Sequence, residues 1–583
     1  MKLKPTIVFL AMVLSIMVIF VSAPIEEKEP KSKETTQAVY GTLDAKIVKC
    51  TTPVFLLEGI DTTQQIAPLF ENLGNHHFAI TTAEGKAQIF FNQGLSLTYA
   101  FNHAEAHRSF LEAARRDPQA AMAYWGQAYA LGPNINDPFP DDDRKKKAYE
   151  AWQKAKKYAT KANVKEQDLI EALATRYSED LEKDIGELNK AYMQAMKKVA
   201  RKYTEDADVQ TLYAAAVMNT MPWNYWDNEG NPYSNTLEGK TALEKAMALN
   251  PDHPGAHHYY IHMVELPKPD LAVPSAERLG KLMPAAGHLV HMPSHIFIRV
   301  GRYEDAVKAN IDAIAADEDY ISQCYSQGMY PLGYYPHNIH FLWSAASLIG
   351  DSKTAIEAAK KTAEKVPLSE LNSLPFLQDF ASTPLLAYTR FGKWNEILTI
   401  PFPGKEYKHL TLIWHYARGI AFLRKDNLKE AEEELEALAT LKEDKDLESL
   451  IANYTNPSSK IARVAYHVLR GEIAASKGNF DEAVAQLEKG ISYEDELIYS
   501  EPAPWHISVR QTLGAVLLKA GKPQEAETVY KEDLSNIRQN GWSLMGLYKS
   551  LNAQDKKQEA DKVKRTFDEI WSNADFELNT SVL

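Results

Sequence analysis

Cysteine is nearly absent from this 583-residue chain, which contains only Cys50 and Cys324. Two cysteines do not form the disulfide framework typical of small secreted scaffolds. In an oxidising compartment they could pair, and two separate buried thiols explain them equally well. The chain also lacks a CxxC pair, a GxSxG elbow, a P-loop and a Rossmann glycine pattern, so nothing indicates the chemistry that these motifs support.

Basic residues are outnumbered by acidic ones, 65 against 78. The formal net charge is −13 at pH 7, and the sequence shows no clustered basic stripe. This balance argues against nucleic acid as a main partner. Hydrophobic residues make up 45% and charged residues 25%, as in folded soluble proteins. The length exceeds one ordinary core, so we expect several domains or an elongated repeat array.

Long apolar runs are also missing, with one exception at the N-terminus. Lys2 and Lys4 precede an apolar run over residues 6–21, and Val21-Ser22-Ala23 resembles a small-residue cleavage site. This pattern predicts a signal peptide over residues 1–23. Pro24 is unfavourable just after a cleavage site, so an uncleaved membrane anchor stays open, although the run is shorter than the roughly 20 residues of a membrane span.

The predicted export signal determines where we expect the protein and how we interpret the segments that follow the signal. The protein should be periplasmic or secreted, or membrane-anchored through the uncleaved N-terminal segment alone. Residues 24–45, rich in Glu, Lys and Thr, predict a flexible tether. Residues 46–80 then form a lead-in to the folded part.

The rest of the chain is dominated by an internal repeat. Residues 87–118 have the signature spacing of a 34-residue helical hairpin: small residues, one aromatic residue and a terminal proline. These are Gly94, Ala106, Phe110, Ala113 and Pro118. Small residues let the two helices of a hairpin approach closely, and the proline ends the second helix. The same register recurs to the end of the chain, with Gly301 and Gly350 marking turns and with RKDNLKEAEEEL, SKGNFDEAVAQLEKG and KAGKPQEAETVY in later units.

Over most of residues 80–575 the chain thus resembles tetratricopeptide repeat (TPR) proteins. The resemblance implies an all-α solenoid of helical hairpins wound as a right-handed superhelix. We expect an N-terminal array over residues 81–370 and a C-terminal array over 371–583. The segments GHLVHMPSHIFIRVGRY and YPHNIHFLW are similar to those of an exported bacterial TPR family with an HMPSHI-type motif. That likeness implies the architecture and no particular reaction.

Seven of the seventeen histidines form the main functional pattern. They are spaced three or four residues apart in three successive repeats, which places each group on one helix face. The TPR resemblance implies that positions 2, 5, 9, 12 and 13 of the first helix line a concave groove. All seven histidines occupy such positions, and Glu265 and Arg299 occupy positions 12 and 13. The seven are His258, His262, His288, His291, His295, His337 and His340. His257 should instead pack between helices.

The histidine pattern favours a metal site, because neutral imidazole is the commonest metal-binding side chain and suits zinc or copper. Glu265 would be a ligand or would orient a histidine. A peptide, protein or small polar ligand held without metal is an equal alternative, and structural histidines are a third. As to activity, the options are a binding solenoid, a metal-dependent enzyme using His258, His262, His291 and His295, and a protein–protein scaffold. Whether any reaction is catalysed stays open.

Aromatic residues beside carboxamides extend the predicted groove. Asn219, Trp223 and Trp226 follow the first helix of one unit, and Asn134 and Asn136 lie in the loop of residues 131–143. Such pairs suit a polar organic ligand, although tryptophans at repeat junctions serve equally for packing.

Two further patterns concern the helices themselves. Pro293 interrupts the helix that carries His288, His291 and His295, which predicts a kink. His103 and His107 are interpreted as structural, because they lie on the second helix of their hairpin.

Overall fold

The computed structural model describes residues 63–227, 229–323, 330–452 and 455–583. The predicted signal peptide, the tether, the first part of the lead-in and both cysteines lie outside these ranges. Within them the chain is all-α: helices and short 3-10 or π turns alternate with loops, and the only β-type pairings described are three isolated bridges. No helix of the described ranges combines the length and hydropathy needed to cross a bilayer.

The first half of the described chain contains helices that pack mainly against their neighbours in sequence. These are α1 (Gly85–Tyr99), α2 (His103–Arg116), α3 (Ala121–Leu131), α4 (Asp142–Tyr158), α5 (Val164–Ala174), α6 (Ile185–Lys202), α7 (Ala207–Met218), α8 (Thr236–Leu249), α9 (Pro254–Val264), α10 (Val273–Leu279), α11 (Gly287–His291), α12 (Pro293–Val300) and α13 (Tyr303–Gln323).

The second half continues the same arrangement after a π-helical turn at Tyr330–Tyr334. Its helices are α14 (Tyr335–Leu348), α15 (Ser352–Glu364), α16 (Leu377–Arg390), α17 (Trp394–Thr399), α18 (Lys408–Arg424), α19 (Leu428–Lys442), α20 (Asp446–Ser449), α21 (Ser458–Ser476), α22 (Phe480–Asp495), α23 (Val509–Lys519), α24 (Pro523–Asn536), α25 (Gly541–Asn552) and α26 (Lys557–Ile570). The TPR-like helical-hairpin solenoid is therefore the fold of the protein.

Local sequence explains where individual helices begin and end. The side chains of Asn102 and Asp206 accept hydrogen bonds from backbone N–H groups in the first turns of α2 and α7. Gly301 ends α12 with φ of 82°, a left-handed conformation that glycine adopts without steric cost. The kink predicted at Pro293 is confirmed, since the helix breaks there into α11 and α12.

Glycines packed against one aromatic ring hold neighbouring hairpins together. A Cβ atom at Gly94 would lie 2.7 Å from the Phe110 ring, and one at Gly126 would lie 2.4 Å from it. Gly514 and Gly546 contact Tyr530 in the same way, at 2.4 and 2.2 Å. The two sets have the same spacing in the sequence, so one packing unit recurs at both ends of the solenoid and fixes the repeat register.

The C-terminal helices also pack against the middle of the solenoid. The indole N–H of Trp542 donates to the carbonyl of Ser347 at 2.8 Å, and Arg538 pairs with Asp270 at 2.9 Å. The buried apolar residues form two main clusters that divide within α13, so α14 and α15 pack with the C-terminal helices. The boundary between the two arrays at residues 370/371 stays a prediction.

We predict that Gly126→Ala lowers the free energy of unfolding by about 1–3 kcal/mol, because the new methyl group would overlap the fully buried Phe110 ring. Gly85→Ala is the matched control: its Cβ would have no neighbour within 4 Å, so the change should stay within about 0.5 kcal/mol. Denaturant unfolding of both variants measures the difference. Equal unfolding curves would show that this glycine contact does not set the packing.

Candidate metal centre

Six of the seven predicted histidines meet where α9, α11, α12 and α14 converge. Five of them are at most 5% exposed, and His337 is partly buried. Ring centroids of neighbouring pairs, such as His258–His262 and His291–His295, lie 4.9 Å apart. The histidines are buried, with Phe101, Trp223 and Glu501 lying against them.

His340 does not join the other six. Its ring stacks on Trp343 with centroids 4.8 Å apart and meets the edge of Phe380 at 5.3 Å. The side chain thus packs toward α16 rather than toward α12. The structure places His340 in an aromatic cluster, in place of the predicted ligand position.

His258, His262 and His288 form a first triad, with ligand atoms within 4.8 Å of one another. Nδ1 of His258 lies 2.6 Å from the carbonyl oxygen of Tyr99, so Nδ1 carries the proton and Nε2 carries the lone pair. Among the described residues, Nε2 of His258, Nε2 of His262 and both ring nitrogens of His288 have no hydrogen-bond partner. The first triad therefore presents unpaired nitrogen atoms in a buried space.

His291, His295 and His337 form a second triad with the same spacing limit of 4.8 Å. The amide of Asn310 donates to the carbonyl of Ala306, so its oxygen faces Nδ1 of His291 at 2.7 Å. Nε2 of His291 then carries the lone pair and lies 3.1 Å from Nε2 of His295. Two nitrogens bound to one tetrahedral zinc ion at about 2.0–2.1 Å lie about 3.3 Å apart, so this pair fits such an ion.

Two carboxyl groups lie on the far side of His295. Its Nδ1 atom is 2.9 Å from Oε2 of Glu501 and 3.3 Å from Oε2 of Glu265. The other oxygen of Glu265 lies 3.5 Å from Nδ1 of His262, so this carboxyl group contacts both triads. Burial, together with the neighbouring Glu501, raises the pKa of Glu265 well above its ordinary value. Carboxyl groups in such positions orient metal-binding imidazoles.

Arg299 lies at the edge of this carboxyl pair. Its guanidinium donates to the carbonyl of Leu266 at 3.0 Å, and its Nε atom is 3.9 Å from Oε1 of Glu501. The predicted ligand-binding role of Arg299 remains a prediction, and in the structure its neighbours are protein groups.

Burial favours the neutral form of several of these histidines. Burial lowers the pKa of His258 to about 3. Burial and then neighbouring imidazoles lower the pKa of His262, His288 and His337 well below the ordinary value. Neutral imidazole is the form that binds a metal ion.

Aromatic rings cover both triads. Phe101 stacks on His262 at 9° with centroids 5.9 Å apart and lies 5.5 Å from His288. Trp223 and Tyr334 meet His262 and His288 edge-on at 4.9 and 4.8 Å. Phe101 and Trp223 have φ of 57° and 62°, conformations that cost on the order of 1–3 kcal/mol and concentrate at functional sites.

The remaining predicted groove residues differ in their positions. Trp226 donates its indole N–H to the carbonyl of Met263 at 2.7 Å and packs between helices rather than facing the histidines. Asn219 borders a small cavity that also touches Asn134 and Phe101. His257 bonds Ser275 and the carbonyl of Pro251, on the inter-helix side that its register indicates.

Several residues that shape the site were not singled out from the sequence. Tyr99, Phe101, Asn310 and Glu501 reach it from three different segments. The loop of residues 499–506 gives no periodic signal, so its approach to His295 is a consequence of tertiary packing. Of these four residues, only Asn310 could have been found from the local sequence, because it lies in the hairpin that carries His291.

A third group, His76, Asp208 and His253, lies behind the first triad. Oδ1 of Asp208 accepts from Nε2 of His76 at 2.9 Å and from Nε2 of His253 at 3.2 Å. Burial alone would raise the pKa of Asp208, and these hydrogen bonds lower it below its ordinary value. Nδ1 of His253 accepts the N–H of Ala256, so its Nε2 carries the proton and is not a free ligand. This group is a hydrogen-bonded support, with the Tyr99 hydroxyl as a third donor at 2.8 Å.

Comparison with known proteins gives structural likenesses alone. No family model matches the chain, and no curated protein matches it. Human IFIT1, solved as a dimer with m7Gppp-AAAA, is 13% identical, with 77% of this chain and 89% of that chain covered and a TM-score of 0.32. Yeast Tom70 is 14% identical, with 83% and 90% covered and a TM-score of 0.28. At these TM-scores the likenesses carry no argument about a ligand.

We predict that metal-free protein loses stability as the pH falls below 6.5. A histidine whose pKa is lowered in the folded protein adds fully to the free energy of unfolding above its pKa in the unfolded chain, near 6.5. This contribution disappears as the pH falls toward the folded pKa, about 3 for His258. Each such histidine adds a slope of about 1.4 kcal/mol per pH unit. Unfolding measured with chelator from pH 7.5 to 4.5 should show a shallower slope in His258→Gln. An unchanged slope in the variant would contradict the neutral buried state.

Proposed function

We propose that the protein is an exported TPR-like solenoid that binds a transition metal ion, zinc or copper, through its buried histidines. The observation that carries the proposal is the set of unpartnered ring nitrogens in the first triad, His258, His262 and His288. A buried nitrogen left without a partner costs about 1–3 kcal/mol, and a bound metal ion would remove that cost. Three imidazoles are a donor set that zinc and copper accept.

The chain's own residues would do three things for the ion. Tyr99 and Asn310 hold the Nδ1 protons of His258 and His291, which directs the Nε2 lone pairs inward. Glu265 and Glu501 offer carboxyl oxygens beside His295. Phe101 and Trp223 exclude water from the first triad.

A peptide lying along the histidines is supported less well. The histidine rings are covered, and a peptide would have to displace Phe101 and Trp223 before it could contact them. A small polar ligand could occupy the cavity beside Asn219, Asn134 and Phe101, next to the metal rather than in its place.

The second candidate function is metal-dependent catalysis. The observation in its favour is the buried carboxyl pair, Glu265 and Glu501, beside His295, since carboxyl groups can act as general acids or bases. The four histidines proposed for such an enzyme divide between the two triads, two in each. A reaction would therefore use both triads together.

The proposal also includes the location of the protein. The charged and apolar pattern of residues 1–23 and the resemblance to an exported bacterial family support a periplasmic or secreted protein, anchored to the membrane where the segment stays uncleaved. Metal would then be bound after export.

Metal analysis of full-length protein purified without a histidine tag tests the proposal. We expect bound zinc or copper, removable by a chelator and restored by zinc alone. His258→Gln combined with His291→Gln should weaken zinc binding by at least about 10-fold, as expected when metal ligands are lost. His340→Gln is the matched control, because this histidine is equally buried and lies outside both triads.

Two results would contradict the proposal: no zinc or copper bound by the reloaded wild-type protein, or equal zinc binding by the folded double variant. Circular dichroism identifies variants that have unfolded. In that case the single variant His337→Gln replaces the double variant, because His337 is only partly buried.

A further inference from the structure

We infer that the histidine cluster is a two-ion centre, with one ion bound by the first triad and a second by the second triad. The inference rests on the proposed metal-binding function and specifies how many ions bind and which residues hold each of them.

The number of imidazoles argues for two ions. Zinc takes four ligands in most protein sites, and copper takes similar numbers, so one ion leaves at least two of the six imidazoles without a partner. Leaving buried ring nitrogens unpaired is unfavourable. Two ions use all six rings and keep an open coordination position on each ion.

The distances agree with a division into two sets. Within each triad the ligand atoms lie within 4.8 Å of one another. Ring centroids do not separate the two sets, since His262 and His288 of the first triad lie 6.4 Å apart and His262 and His295 of different triads lie 5.7 Å apart. The division therefore rests on the ligand atoms, which converge within each triad.

Each triad also has its own fixed ring. Tyr99 sets the proton position of His258 in the first triad, and Asn310 does so for His291 in the second. The two acceptors come from different parts of the chain, α1 and α13. Each triad is therefore oriented without the other, as two separate ion sites require.

The two sites differ in charge. Glu501 faces His295 of the second triad at 2.9 Å, whereas the described carboxyl oxygen beside the first triad, that of Glu265, lies farther away, 3.5 Å from His262. A buried dication without a counter-charge is strongly unfavourable. The second triad should therefore bind a divalent ion more tightly, and the first should favour monovalent copper or a dication accompanied by hydroxide.

Zinc titration of the reloaded full-length protein, with elemental analysis, tests the inference. The expected result is two zinc ions per chain, the tighter bound at least about 10-fold more strongly. His291→Gln with His337→Gln should abolish the tight site and leave one ion, and His258→Gln with His288→Gln should abolish the weak site. Circular dichroism confirms that each variant is folded, and His337→Gln and His262→Gln serve as single substitutions if a pair unfolds.

Glu501→Gln gives a second readout. It should weaken the tight site by about 10–100-fold while two ions still bind at saturating zinc, because Glu501 lies 2.9 Å from Nδ1 of His295, whereas Nε2 of His295 faces His291. One zinc per chain in the wild type, lost in both paired variants, would overturn the two-ion inference and leave the proposed function intact. No zinc at all would overturn both.

Discussion

The structure depends on one constraint: imidazole rings are buried in neutral form, and each ring nitrogen there needs a partner. Burial lowers the pKa of His258 to about 3, so protonation does not relieve the constraint at neutral pH. Backbone and side-chain acceptors satisfy the Nδ1 atoms of His258 and His291 and fix which nitrogen carries the lone pair. The remaining nitrogens converge, which makes a metal ion the partner that satisfies several of them at once.

The solenoid supplies this convergence through its repeat. Glycines on either side of one aromatic ring, Phe110 near the N-terminus and Tyr530 near the C-terminus, set the spacing between hairpins. Equivalent helix faces therefore recur at each step, and histidines on α9, α11, α12 and α14 face one interior. Phe101 and Glu501, from distant parts of the chain, then lie against these histidines.

Periodicity made the fold and most of the histidine set predictable from the sequence. Small residues at fixed spacing indicated the hairpins, and Gly301 and Pro293 marked a helix end and a kink that the structure contains. The position of His340 apart from the other six was not predictable, because its contacts with Trp343 and Phe380 depend on how α16 packs rather than on helical spacing. Coverage of the histidines was not predictable for the same reason: no local pattern shows that residues near 101 and 501 meet the same histidines.

Anomalous diffraction from zinc-loaded crystals, measured on both sides of the zinc absorption edge, tests the central claim most directly. The account predicts anomalous density about 2.0–2.1 Å from the ring nitrogens of His258, His262 and His288, and a second peak beside His291, His295 and His337. Ordered histidine rings without anomalous density at either triad, or zinc bound only at surface residues, would contradict it.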